Sequence, residues 1–368
     1  MKEELIRRIA YLKPVSQDSS RSYEEHVEVL TERVNGIMSS REDVFSLIGN
    51  NTLTVMTDNH MNHGNFITNV LKFNNFALLA RTLPWVYRSY LSRGFSRDYF
   101  PAVLKAWKEA IGEQLPETAS KEILGVYDWM IEQHGLLVET VGEESGSLDI
   151  EYRDNEHSNA FADILLSGNS REALSLAEES VSLATDLGAF YLGVVQPALY
   201  KIGLLWERGE ISVADEHLAT AIVGRIMAAM YPKFAHVSHD KGEAVLACSP
   251  NEYHELGSRI VADLLEISGW NVAFLGASTP AEELMKLLRA KKPFLLGVSV
   301  AMSFNLGNTS KLLETIRKDP ALSSTKVVLG GLALSTAPGL WKELGADGFA
   351  RDGNEAIEIA NEWWMTAS

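Results

Sequence analysis

The stretch ACSPNEYHELGSRI, residues 247–260, sets one imidazole, His254, two residues after the carboxylate of Glu252 and three before Gly257. It directly follows an apolar run with the character of a buried strand. Loops at the carboxyl ends of strands are where open α/β sheets hold ligands, so this imidazole is a ligand-contacting candidate. A loop histidine that caps the next helix reads equally well from the spacing. Two further loops fall at matching positions: Ser299 closes the run FLLGVSVA, and Gly330–Gly331 closes KVVLGG. A glycine pair after a strand is common and often serves only as a tight turn. The three loops together are more informative than any one of them.

The elements that must position these loops follow from hydrophobic spacing. Beyond 243 the apolar runs EAVLACS, NVAFLGA, FLLGVSVA, KVVLGGL and GFA alternate with helical stretches beginning near 255, 280, 305, 336 and 354. Five such units predict a parallel, doubly wound, flavodoxin-like (Rossmann-like) five-stranded sheet over 243–368. Residues 155–236 are helical, rich in small residues and cut by glycine or proline into short runs, which predicts a four-helix bundle. Residues 1–140 carry apolar residues at three- and four-residue intervals with little strand signal, which predicts an all-helical domain. The acidic, aperiodic stretch 139–154 reads as a boundary. The chain is therefore read as a multi-domain α and α/β protein.

Composition removes several classes of function. Cys248 is the only cysteine, which excludes structural disulfides and cysteine-rich zinc or iron–sulfur sites. A net charge of −16 repels phosphate backbones, so no direct nucleic-acid partner is expected. No run approaches the roughly 18 consecutive apolar residues of a membrane span, and the N-terminus lacks a signal-peptide core. A cytoplasmic location without membrane contact is expected.

Glu252-x-His254-x-x-Gly257, the Ser299 loop and the Gly330–Gly331 pair, in that order on five βα units, resemble the cobalamin-binding domain family over residues 243 to about 365. The resemblance implies that His254 replaces the nucleotide base as the lower axial ligand of cobalt. Glu252 would then orient and polarise it, as carboxylates do for metal-bound imidazoles. Gly257, Ser299, Gly330 and Gly331 would leave room for the displaced nucleotide tail. Two departures stand out: Glu252 replaces the usual aspartate, and Ala301 replaces the common leucine.

In LWERGEISVADEH, Gly209 stops one helix, and Ser212 with Asp215 three residues on predicts a capping box for the next. By themselves, Trp206, Glu216 and His217 read as a core aromatic and two solvated polar residues. Beside a cobalamin domain, Trp206 followed after nine residues by Glu216-His217 resembles the upper-face motif of light-sensing cobalamin proteins of the CarH type. That resemblance implies adenosylcobalamin, with Trp206 over the adenosyl group, Glu216 and His217 lining its pocket, and Val213 packed against it. DNA-binding photoreceptors of this type have a histidine directly after the tryptophan to capture cobalt. Here that residue is Glu207, so either His217 or water takes the vacated site, or the photochemistry ends differently.

In place of a helix-turn-helix, the chain opens with a region containing TDNHMNHGNF, whose His60 and His63 share a face if helical. The basic, aromatic-rich segment 81–108 includes Arg81 and Arg88. Arginines, imidazoles and aromatic walls suit a tetrapyrrole carrying propionates. An aromatic bundle core with a solvated basic face is the plainer alternative. The DNHxNH stretch and the PWVYRSY helix resemble the front region of photocobilins, which implies biliverdin beside cobalamin. With no cysteine before 248, any bilin must be held without a thioether link. His134 and His157 carry no specific signal.

The reading that follows is a non-enzymatic light sensor whose output is a light-dependent homo-oligomer or a separate signalling partner. A corrinoid methyl carrier of a methyltransferase system, or a cobalamin-responsive antirepressor, would use the same sheet.

Overall fold

The computed structural model describes residues 2–141, 155–234 and 236–367; most of the expected boundary stretch, 142–154, lies outside them. Packing divides the chain into two units: Met1–Ile150 with Glu207–Gly209, and Glu151–Trp206 with Glu210–Ser368.

The first unit is helical, as its spacing predicts. Helices Gln17–Ser39, Leu53–Lys72 and Phe76–Leu91 each begin at a side chain that accepts an end N–H: Ser16, Thr52 and Asn75. Helices Tyr99–Gln114, Glu117–Glu132 and His134–Thr140 follow, and the shorter Lys2–Arg8 and Val44–Ile48 also belong to it. Its core is aromatic, with Tyr23, Trp107 and Tyr127 fully buried.

In the second unit, the four-helix bundle comprises Glu156–Leu166, Ser170–Ser180, a long third helix and Val213–Met230. The third helix runs Asp186–Phe190, passes through a π-helical turn at Tyr191–Val195, and continues as Gln196–Glu207. Over Asp186–Glu207 this helix is long and apolar enough to cross a membrane, with mean hydropathy 1.2. Here Leu187, Phe190, Val195, Ala198 and Ile202 are buried in the bundle core. The predicted capping box is present: Ser212 Oγ accepts from Asp215 N, and Asp215 answers the Ser212 N–H.

Bundle and sheet share one core, because Ile260 and Leu264 of helix Leu256–Ile267 are buried with the bundle residues. The sheet is parallel throughout, with strands β1 (Glu243–Cys248), β2 (Asn271–Phe274), β3 (Leu295–Ser299), β4 (Lys326–Gly330) and β5 (Gly348–Phe349) in the order β2-β1-β3-β4-β5. This is the flavodoxin-like order expected from the sequence. The order reverses between β1 and β3, where such sheets open a crevice at their carboxyl ends. Register sets the three loops side by side there, since Cys248 pairs with Ser299 and Ser299 with Gly330. Helices follow at Leu256, Ala281, Leu306 and Gly353, while the stretch after β4 is broken into Leu332–Ser335 and Leu340–Glu343.

Candidate functional site

Glu252 organises the site. It is completely buried, and its carboxylate accepts from two loops at once. Oε1 takes the His254 backbone N–H at 3.1 Å and pairs with His254 Nδ1 at 2.5 Å. Oε2 accepts from the backbone N–H groups of Ala301 and Met302, each at 2.9 Å, and from Asn305 Nδ2 at 3.1 Å. Burial by itself would push this acid up. The His254 hydrogen bond and charge, with the Met302 and Asn305 donors, reverse that and hold it at about 2. The longer glutamate thus does two jobs: it fixes the imidazole, and it ties the β1 loop to the β3 loop.

The His254 side chain is 61% exposed, with Nδ1 committed to Glu252. Nε2 makes no hydrogen bond among the described residues and is the nitrogen left for a metal. Hydrogen bonding to Glu252 raises the imidazole's proton affinity against the effect of burial, and the charge of Glu216 adds to it. A cap-helix carboxylate therefore lies within electrostatic reach of the loop imidazole.

After the His254 loop, an open-mouthed cavity is lined by Gly257, Ser258, Ser299, Gly330 and Gly331, with Leu192 and Tyr200 from the bundle. No atom lies within 4 Å of where a Cβ on Gly257 would sit, so side-chain space there is open. Gly331 has φ +101°, and a Cβ on it would stand 2.3 Å from the Val300 carbonyl oxygen. A side chain is barred at Gly331 by both backbone conformation and contact. Gly331→Val is expected to cost at least about 1–3 kcal/mol from backbone strain and to close the cavity. A denaturant melt and a cobalamin titration check it. Ser258 Oγ is buried at the edge of this cavity, with the Cys248 thiol as its neighbour.

The upper-face candidates sit at the start of helix Val213–Met230 and the end of the helix before it. Val213, its first residue, is 53% exposed. Glu216 is bonded to His217 Nδ1 at 2.6 Å and accepts from Thr220 Oγ1 at 2.9 Å. The His217 side chain is exposed, and Trp206 is half-buried.

His60 and His63 do lie on one helix, but both are drawn into the core of the first unit. His60 Nδ1 pairs with Asn35 Oδ1 at 2.6 Å and Nε2 with the Tyr99 hydroxyl at 3.0 Å; His63 Nε2 meets the Tyr127 hydroxyl at 3.2 Å. Burial lowers them to about 4 and about 3, so both are neutral at pH 7 and bring no charge to a propionate. They border a small cavity with Tyr87, Tyr90, Phe100 and Trp107. The structure does not form the expected arginine clamp at this cavity. Neither Arg81 nor Arg88 lines this cavity, and Arg88 is instead buried in an ion pair with Glu207.

Sequence reasoning missed Asn305, Ser258, Tyr200 and the Arg351–Asp352 pair that borders the larger cavity. Arg351 and Asp352 follow β5 at its carboxyl end, a position that could have flagged them. Asn305 had no local signal, because its partner lies across the sheet.

An imidazole held by a buried acid at the switch point, and an open cavity bordered by glycine and serine beneath a helical cap, define a cobalamin-binding protein. Two sequence models, each described as a B12 binding domain, match residues 242–360 and 158–231. The chain is 27% identical to the HTH-type transcriptional repressor CarH of Myxococcus xanthus, over 66% of this chain and 76% of that protein. It is 25% identical to a corrinoid protein of Desulfitobacterium hafniense, over 54% of this chain and 93% of the relative. The solved monomethylamine corrinoid protein of Methanosarcina barkeri shares the fold with a TM-score of 0.50 and 20% identity, covering 56% of this chain and 98% of that one.

Proposed function

We propose that this protein is a light sensor that binds adenosylcobalamin, with biliverdin in its first unit, and signals by a change in cap packing rather than by catalytic turnover. The observation that carries the reading is the cap motif: Trp206, Val213, Glu216 and His217 cluster at two adjoining helix ends, and Glu216 acts electrostatically on His254. Likeness to CarH supports it. Bound cobalamin would supply a cobalt–carbon bond that light can break. His254 would hold the lower face, Glu252 would fix that imidazole, and Trp206 with Val213 would cover the upper ligand. Loss of that ligand would remove the packing partner of the exposed Val213, changing contacts between subunits or with a separate partner.

Biliverdin is supported by the cavity bordered by Tyr87, Tyr90, Phe100 and Trp107. Its aromatic walls suit a conjugated ring system, and Trp107 Nε1 is buried without a hydrogen-bond partner among the described residues.

The corrinoid-carrier reading draws on likeness to the Desulfitobacterium corrinoid protein. The full chain, loaded with adenosylcobalamin and biliverdin, separates the two by absorption and size-exclusion profiles in the dark and after green light. The sensor reading expects a bleached cobalamin spectrum, a retained far-red bilin band and a shifted elution volume. A light-stable size without bilin uptake would leave a carrier or a ligand-level sensor.

A further inference from the structure

The residue after Trp206 is as buried as the core. Glu207 is 3% exposed, and its Oε1 lies 3.2 Å from Nη1 of Arg88, whose side chain is also almost fully removed from solvent. Packing assigns the turn Glu207–Gly209 to the first unit. Within that unit Ser92 Oγ donates to the Glu207 carbonyl at 2.9 Å, Arg88 Nη2 donates to the Thr140 carbonyl at 3.3 Å, and Arg93 lies within electrostatic reach of Glu207. Both the side chain and the backbone of Glu207 are therefore held.

A buried ion pair is a weak source of net stability, because two charges must leave water to form it. It is a strong geometric restraint, because displacing either partner strands a charge. Glu207 shares a peptide bond with Trp206, so fixing one sets where the other's backbone can go. Arg88 belongs to helix Phe76–Leu91, which also supplies Leu83, Val86, Tyr87 and Tyr90 to the smaller cavity.

We propose that Glu207 is a positioning residue: its side chain paired with Arg88 and its carbonyl bonded to Ser92, it fixes the backbone that follows Trp206 and so sets the preference between upper ligands. This rests on the reading that Trp206 covers the adenosyl group. The Glu207 carboxylate directly follows Trp206 in the chain. Held by Arg88, that carboxylate serves the fold of the turn.

The test titrates the full chain in the dark with adenosylcobalamin and, separately, hydroxocobalamin, which has no bulky upper ligand. Wild type, Glu207→Gln, Arg88→Lys and Trp206→Ala are compared by the ratio of the two affinities. Glu207→Gln is expected to weaken adenosylcobalamin by about tenfold, an order set by roughly 1.4 kcal/mol, while hydroxocobalamin stays within about twofold. Arg88→Lys keeps the cation but loses the planar fork, so an intermediate loss of preference is expected, and it serves if Glu207→Gln does not fold. Trp206→Ala is expected to abolish the preference. Equal weakening of both cobalamins in the Glu207 and Arg88 variants, or a wild-type ratio in them, overturns the inference while leaving the Trp206 reading in place. A wild-type ratio in Trp206→Ala overturns the Trp206 reading, and the inference falls with it.

Discussion

His254→Ala lowers cobalamin affinity by roughly 100-fold or more, since loss of an outer-shell partner alone typically costs 10–100-fold at a metal site. Nε2 is the nitrogen of His254 left uncommitted, and Nδ1 is already held by Glu252. Binding is not abolished, because the cavity lined by Gly257, Ser299 and Gly330 remains. The variant should also show an altered visible spectrum, as the axial donor changes from imidazole to water or to the cofactor's own base. Titration with hydroxocobalamin checks both effects. A change below about threefold with an unaltered spectrum would remove His254 from the cobalt's coordination sphere.

Glu252→Ala is expected to be the most damaging single change to the sheet's ligand end. It deprives Ala301 N, Met302 N and Asn305 Nδ2 of their common acceptor. Each stranded donor that stays dry costs about 1–3 kcal/mol, so several kcal/mol of stability are at stake along with the orientation of His254. The same carboxylate carries a pH signature. Its folded value, about 2, lies below the ordinary 4.5, so its stabilisation is fully present above 4.5 and is lost as pH falls through 2. At 1.36 kcal/mol per unit the whole effect is about 3 kcal/mol. Denaturant melts at about pH 7 and about pH 3 should show a loss in wild type that Glu252→Gln, already weakened at neutral pH, does not share. Equal pH dependence in the two proteins would mean that the buried carboxylate is not the acid-sensitive group.

The parts of this account that were legible in the sequence depend on short-range rules. Strand runs alternating with helices specify a parallel sheet, and EAVLAC, LLGVS and KVVLG occupy its three central strands. Ser212 and Asp215 mark a helix start because the capping box closes within four residues. Gly331 is legible as a glycine, yet its reason, the Val300 carbonyl across the neighbouring strand, is not. The π-helical turn at Tyr191–Val195 has no local signature; it matters because it precedes Gln196 and Tyr200, which border the large cavity.

The front region shows the opposite limit. A run of arginines among aromatics says nothing about which face each cation takes. Arg88 lies on the buried face of its helix and finds Glu207, far along the chain, while His60 and His63 are consumed by Asn35, Tyr99 and Tyr127. Long-range pairs of this kind decide charge state and availability, and neither can be read from spacing.

The central claim is that His254 is the lower axial ligand of cobalt, and one spectrum tests it directly. The full chain is made with histidine labelled by ¹⁵N, loaded with unlabelled cobalamin and reduced to the cobalt(II) form, and its electron paramagnetic resonance is recorded. Each cobalt line should change from the triplet of a ¹⁴N ligand to the doublet of ¹⁵N, and the doublet should vanish in His254→Ala. A triplet that survives labelling would show that the cofactor's own base still holds the cobalt, and would contradict the account.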